Sequence, residues 1–221
     1  MFVGLKLKIL FTIVKIFNMN INLVSNYFIP YRVLDIGANI GQFHSMFKRY
    51  YSYSYVFSIE ASKECEPALK KITDDYLIVL LAKDNSVYDF YSRKGDPTCT
   101  GNSIYREMTQ FYSDDHIDVI KQEGVSLDSI FSANSEFDLI KIDTQGSELD
   151  IISGGKKLCS KAKGIILEVS LKPYNEGAPL YDDVINFMDN FGFTMTDILD
   201  EAFNHGTHQQ DILFINKELK K

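Results

Sequence analysis

Cysteine is scarce in this chain. Of 221 residues only Cys65, Cys99 and Cys159 are cysteines, and no two stand at C-x-x-C spacing. That excludes a zinc ribbon and a dithiol redox motif, and an odd count makes no disulfide framework; three free thiols suit a reducing cytoplasm. Basic charge is short as well: 23 Lys and Arg face 30 Asp and Glu, a net charge of −7. A nucleic-acid surface must neutralise phosphates, so no nucleic-acid partner is expected. Nor is there the uncharged run of about 20 apolar residues that crosses a bilayer. The most apolar stretch, Phe2 to Phe17, is broken by Lys6, Lys8 and Lys15. Internal repeats and low-complexity linkers are absent too. What remains, 45% hydrophobic and 24% charged residues, is the composition of a globular domain with a sizeable core.

In the first segment, Leu5, Ile9, Ile13 and Ile16 recur at helical spacing while Lys8, Thr12 and Lys15 share another face. This predicts an amphipathic helix. Such a helix packs on the domain, lies on a membrane surface or partner, or serves in targeting. The expected division is an N-terminal helical segment over 1–29 and one domain over 30–221. The expected location is cytoplasmic, with peripheral membrane contact through residues 1–20 as the alternative.

From Arg32 onward, short apolar runs alternate with helical stretches. Strands are expected at Arg32 to Ile36, Tyr55 to Ile59, Leu77 to Leu81, Val87 to Tyr91, Phe137 to Ile142, Ile165 to Val169, Phe193 to Leu199 and Ile212 to Ile215. Helices are expected at Gln42 to Tyr50, Lys63 to Thr73, Ser147 to Ile152 and Leu180 to Phe191, the last closed by Gly192. Residues 94–116 read as a long polar loop. Continuous apolar strands separated by helices predict an α/β fold: a mostly parallel sheet covered on both faces. On such sheets ligands bind at the carboxyl ends of the strands.

Two stretches stand at such ends. Val33-Leu34-Asp35-Ile36-Gly37-Ala38-Asn39-Ile40-Gly41 runs from a strand through a tight turn into a helix. Gly37 allows the turn and close approach of a ligand, Asn39 tolerates positive φ, and Gly41 lets the helix pack closely. Asp35 beside the turn repels a pyrophosphate but suits a ligand with a cationic group, as S-adenosylmethionine has. Glu60, at the end of Val56-Phe57-Ser58-Ile59, is placed to accept ribose hydroxyls. Helix capping or plain solvation is the competing reading for either acid alone. The second stretch is Asp138-Leu139-Ile140-Lys141-Ile142-Asp143-Thr144-Gln145-Gly146-Ser147-Glu148. It puts Asp143 on the same rim, with Glu148 in a first helical turn, where an acid also complements the dipole. Glu168 reaches the rim from the next strand.

Taken with Leu167-Glu168-Val169-Ser170, Tyr174-Asn175-Glu176-Gly177-Ala178-Pro179-Leu180 and the closing Gln210-Asp211-Ile212-Leu213-Phe214, these motifs resemble the FkbM family of methyltransferases over about residues 30 to 216. The resemblance implies a Rossmann-like class I methyltransferase fold: a seven-stranded, mostly parallel sheet with helices on both faces and the last strand antiparallel. It implies S-adenosylmethionine as donor and transfer to an oxygen, commonly a hydroxyl of a sugar or a natural product. By carry-over, Asp35, Gly37, Asn39 and Gly41 line the methionine end of the donor, Glu60 its ribose and Asp84 the adenine side. Asp143 touches the donor too, and Gln145, Glu148, Glu168 and Ser103 are expected to bind the acceptor substrate, Ser103 from a loop that closes over donor or acceptor.

An alcohol is a weak nucleophile and benefits from a positioned base. Asp143 is the first candidate and His205, in the loop before the last strand, the second. His44 and His116 read as surface residues. Asp143, Glu148 and Glu168 could instead hold magnesium, which is not expected to be required. The rival functions are a nicotinamide-dependent oxidoreductase on a related fold and a non-catalytic, membrane-tethered module.

Overall fold

The computed structural model describes residues 19–200 and 208–220. The expected helix near the N-terminus and His205 lie outside them. Ten strands form two sheets. The main one contains β1 (Arg32–Ile36), β2 (Tyr55–Glu60), β3 (Tyr76–Ile78), β7 (Leu139–Ile142), β8 (Gly164–Ser170), β9 (Phe193–Ile198) and β10 (Gln209–Asn216). Their order is β3-β2-β1-β7-β8-β10-β9. All pairings are parallel except those of β10, which enters antiparallel between β8 and β9. The second sheet is three-stranded, β4 (Leu80–Leu81), β6 (Ile117–Val125) and β5 (Val87–Arg93) in the order β4-β6-β5.

Strand alternation builds two cores. Leu34, Ile36, Ile140, Ile142, Ile165 and Leu167 face one side, with Ile151 and Ile152 of helix Glu148–Gly154 and Val184 and Met188 of helix Tyr181–Asn190. Val33, Leu139, Ile166 and Leu213 face the other, under Phe43, Met46 and Phe47 of helix Gln42–Tyr50. Met19, Ile21, Val24 and Phe28 join this second core. No helix among the described residues is long and apolar enough to cross a membrane.

Four sequence expectations change. The strand expected over Leu77 to Leu81 breaks at Val79, and its second part leaves for the small sheet. The helix expected over Lys63 to Thr73 is shorter: a 3-10 turn, Lys63–Cys65, leads into one α-helical turn, Glu66–Leu69, with Pro67 in its first positions, where the missing N–H costs nothing. Strand β6 was not expected: its sequence is polar and its middle residues are exposed on both faces, so no alternation marks it. His44 is buried, its Nδ1 3.2 Å from Ser58 Oγ, and burial lowers its pKa. Its place on a helix face turned toward the sheet, not its polarity, decided this.

Candidate active site

At the end of β1 the backbone takes three positive φ angles in five residues: Gly37 at 76°, Asn39 at 49° and Gly41 at 85°. The Gly37 N–H and the Ala38 N–H both donate to Ile59 O, which ties the turn to the end of β2. A Cβ on Gly37 would overlap the backbone carbonyl of Asp143, its carbon 2.8 Å away and its oxygen nearer still. The two motifs legible in the sequence therefore meet back to back. A Cβ on Gly41 would meet Ile72 Cδ1 at 2.7 Å and Leu69 Cδ1 at 3.2 Å; the close approach at Gly41 is to these side chains, not to the strand as expected.

Glu60 accepts from the Asn39 N–H through Oε2 at 2.7 Å and from the Ser62 N–H through Oε1 at 2.8 Å. Burial raises its pKa, opposed by these donors. The Asn39 side chain donates to Thr98 O at 2.9 Å, bringing the 94–116 segment over the turn. Asp35 is fully buried, and neither of its carboxylate oxygens has a hydrogen-bond partner. Burial, helped by Asp143 and Glu60, pushes its carboxyl up to about 7, against the pull of Lys141. An orphaned buried carboxylate is costly unless something cationic or donating completes it. The ammonium of a bound amino-acid ligand fits that need.

The second motif forms an unusual turn, with Gln145 at φ 57° and Gly146 at φ 110°. Glu148 Oε1 accepts from the Thr144 N–H at 2.9 Å and the Gly146 N–H at 3.1 Å. Its carboxylate thus staples the turn rather than opening to a ligand; burial lifts its pKa to about 7. Ser103 Oγ is likewise spent on the turn, donating toward Thr144 O at 2.8 Å and Gln145 O at 3.1 Å. Asp84 stands apart on the turn between β4 and β5. It is exposed and accepts from the Ser86 N–H and the Tyr88 hydroxyl, which lowers its pKa.

Along the second core's face the strands change character toward their carboxyl ends. Val33 gives way to Asp35, Leu139 to Lys141 and Asp143, Ile166 to Glu168, and antiparallel Leu213 to Asp211. Register pairs Asp35 with Lys141 and Asp211 with Glu168. Lys141 Nζ sits 2.9 Å from Asp143 Oδ2. Gln145 Nε2 donates to Asp143 Oδ1 at 3.1 Å and to Glu168, and Gln209 Nε2 donates to Glu168 Oε2 at 2.9 Å. Oxygens of Asp143, Glu168 and Asp211 lie within 4.8 Å of one another. The expected trio for a divalent ion included Glu148; the third carboxylate here is Asp211. An ammonium and two amides already bond to this row, setting one positive charge against the three carboxylates.

Read from the sequence, Lys141 is a base candidate or equally a sheet-edge support or salt-bridge partner; here it is paired with Asp143. Gln209 and Asp211 carry no such reading, because they arrive on the one antiparallel strand. Beside the row, the rings of Tyr174 and His208 stack at 6.0 Å.

A family model described as the methyltransferase FkbM domain matches residues 35–195. The chain belongs to the FkbM methyltransferase domain family. The match spans both glycine turns and Asp35, Lys141, Asp143 and Glu168 of the row, and ends before Gln209 and Asp211. Among solved structures, the FkbM methyltransferase from Methylobacillus flagellatus KT superposes with a TM-score of 0.53 and 13% identity, over 84% of this chain. The chain spans 43% of the length of that protein. Magnesium protoporphyrin IX methyltransferase from Synechocystis PCC 6803, with its methyl donor bound, gives a TM-score of 0.46 and 11% identity, over 97% of this chain and 80% of that one. No curated protein matches the sequence. The order of the main sheet and its antiparallel β10 are the Rossmann-like methyltransferase fold. The donor of an FkbM domain is S-adenosylmethionine, and the nicotinamide reading is set aside.

Proposed function

We propose that this FkbM domain transfers a methyl group from S-adenosylmethionine to a hydroxyl of a sugar, glycan or hydroxylated natural product, with Asp143 as the general base. The observation that carries the reading is the contact of Gly37 with Asp143. It sets the backbone of Asp143 immediately against the turn after β1, and the Asp143 side chain is 23% exposed while that of Lys141 is 3% exposed. Asp143 is thus the member of the row open to an acceptor.

In this reading Asp35 holds the donor's ammonium, Glu60 receives its ribose hydroxyls, and Gly37 keeps the approach clear. The bound donor supplies a methyl group on a sulfonium, an excellent leaving group. Asp143 accepts the hydroxyl proton as the acceptor oxygen bonds to the methyl carbon and the carbon–sulfur electron pair returns to sulfur. Much of the rate comes from alignment, so fixed residues matter more than strong bases. Gln145, Glu168 and Gln209, with Tyr174 and His208 beside them, offer the acceptor donors, acceptors and a ring face, which suits a polyhydroxylated ring.

The test is donor turnover against a panel of glycosides and hydroxylated metabolites. Asp143→Asn is expected to lower kcat by about 100-fold or more, with S-adenosylhomocysteine affinity nearly retained. Undiminished turnover in that variant removes Asp143 from the base role. In thermal shift, S-adenosylhomocysteine is expected to stabilise the chain and NAD is not.

A further inference from the structure

We infer that Lys141 is a positioning residue for the reaction, holding Asp143 ionised and fixing which of its oxygens faces the acceptor. This rests on the proposed role of Asp143. Strand β7 is buried on both faces, and Lys141 interrupts an otherwise apolar run there. A buried ammonium is expensive unless paired, so its place needs a reason beyond packing.

The geometry supplies one. The Lys141 ammonium bonds to Asp143 Oδ2 and leaves Oδ1 to Gln145 Nε2. With Oδ2 tied back toward the sheet, the carboxylate plane is set and the Oδ1 edge is turned toward Gln145 and Glu168. The charged groups around Lys141 come from three strands: Asp143 on its own, Asp35 from β1 and Asp211 from β10. The ring of Phe43, from helix Gln42–Tyr50, lies 5.3 Å from Nζ. Burial alone would lower the lysine pKa, yet these carboxylates together carry it to about 12. Lys141 stays charged through the working pH range. Asp143 in turn faces Lys141, Glu168, Asp211, Asp35, Glu60 and Glu148. Five carboxylates beside it favour protonation, and an ammonium at hydrogen-bond distance opposes them. Removing Lys141 takes away the ammonium that opposes them.

Lys141 is not itself the base. Its ammonium carries a proton already, and its side chain is almost fully covered. The same reasoning separates Lys from a neutral replacement. Arginine keeps the charge, whereas methionine keeps the length and loses the charge.

The decisive experiment is carbon-13 NMR titration of the full chain labelled at aspartate Cγ, with the Asp143 signal assigned through Asp143→Asn. In Lys141→Met the Asp143 midpoint is expected to rise by about one pH unit or more; in Lys141→Arg it should stay within about half a unit. The acid limb of kcat against pH, measured on whichever glycoside the wild type turns over, should move by the same amount. An unmoved midpoint in folded Lys141→Met overturns the inference. Should that variant fail to fold, Lys141→Gln, which keeps a hydrogen-bond donor without the charge, is read by the same midpoint, and an unmoved midpoint there likewise overturns the inference. If the wild type methylates no acceptor, the proposed reaction falls, while the titration still decides what Lys141 does to Asp143.

Discussion

Replacing Gly37 by alanine tests the junction on which the site depends. The residue sits at φ 76°, which costs an L residue roughly 1–2 kcal/mol. The added methyl would overlap the Asp143 carbonyl, a backbone group just past the end of central strand β7 that cannot rotate away. Relief requires β1 and β7 to part at their ends, where the Asp143 N–H donates to Ile36 O at 3.0 Å. Overpacking of this kind adds about 1–3 kcal/mol, and the strained hydrogen bond about 1 kcal/mol. A total of about 3–6 kcal/mol lowers Tm by roughly 6–24 °C in a domain of this size. Gly192→Ala is the control. Its φ is 96°, but a Cβ there meets nothing within 4 Å, so only the backbone cost of about 1–2 kcal/mol applies. The assays are calorimetric melting and titration with S-adenosylhomocysteine. Gly37→Ala should lose donor affinity by about 100-fold or more, since its methyl displaces the turn that cradles the ligand; Gly192→Ala should bind normally. Equal melting points for the two variants, with equal donor affinity, would refute the steric argument.

Two further outcomes follow from buried acids. Asp35 has a folded-state pKa near 7 against an ordinary 3.8, so the unfolded chain releases its proton first as pH rises. Apo stability should therefore fall between about pH 4 and pH 7, by at most about 4 kcal/mol. Asp35→Asn should flatten that slope in urea melts, and a slope unchanged in the variant would contradict the assignment. Donor affinity should rise over the same interval as the carboxylate becomes ionised. Glu148→Ala should cost about 2 kcal/mol or more, because it leaves the buried Thr144 and Gly146 N–H groups unsatisfied; a Tm within about 1 °C of wild type would show that the turn does not need its staple.

How much of this was legible beforehand depended on whether a residue's role is local. The Gly37–Gly41 turn and the turn from Asp143 to Gly146 declared themselves because positive φ and strand-end acids are written into adjacent residues. Glycine is required there by backbone geometry within a few positions. The continuous apolar runs of β1, β7 and β8 marked a buried parallel sheet for the same reason. Leu77 to Leu81 was misread as one strand because nothing within the run says that Leu80 pairs with Gly124 of β6, 44 positions away in a polar stretch. Ser103 and Glu148 looked like ligand contacts, and only folded distances revealed that their oxygens are used by the turn itself.

The sequence alone determined the fold family and the two glycine turns at the strand ends, since both rest on short runs whose conformation is dictated by their own residues. Tertiary structure alone decided the charged row beside those turns. There Lys141, Glu168, Gln209 and Asp211 become neighbours through strand order and through the reversed direction of β10, and a charge's effect depends on distance and burial that no local pattern encodes.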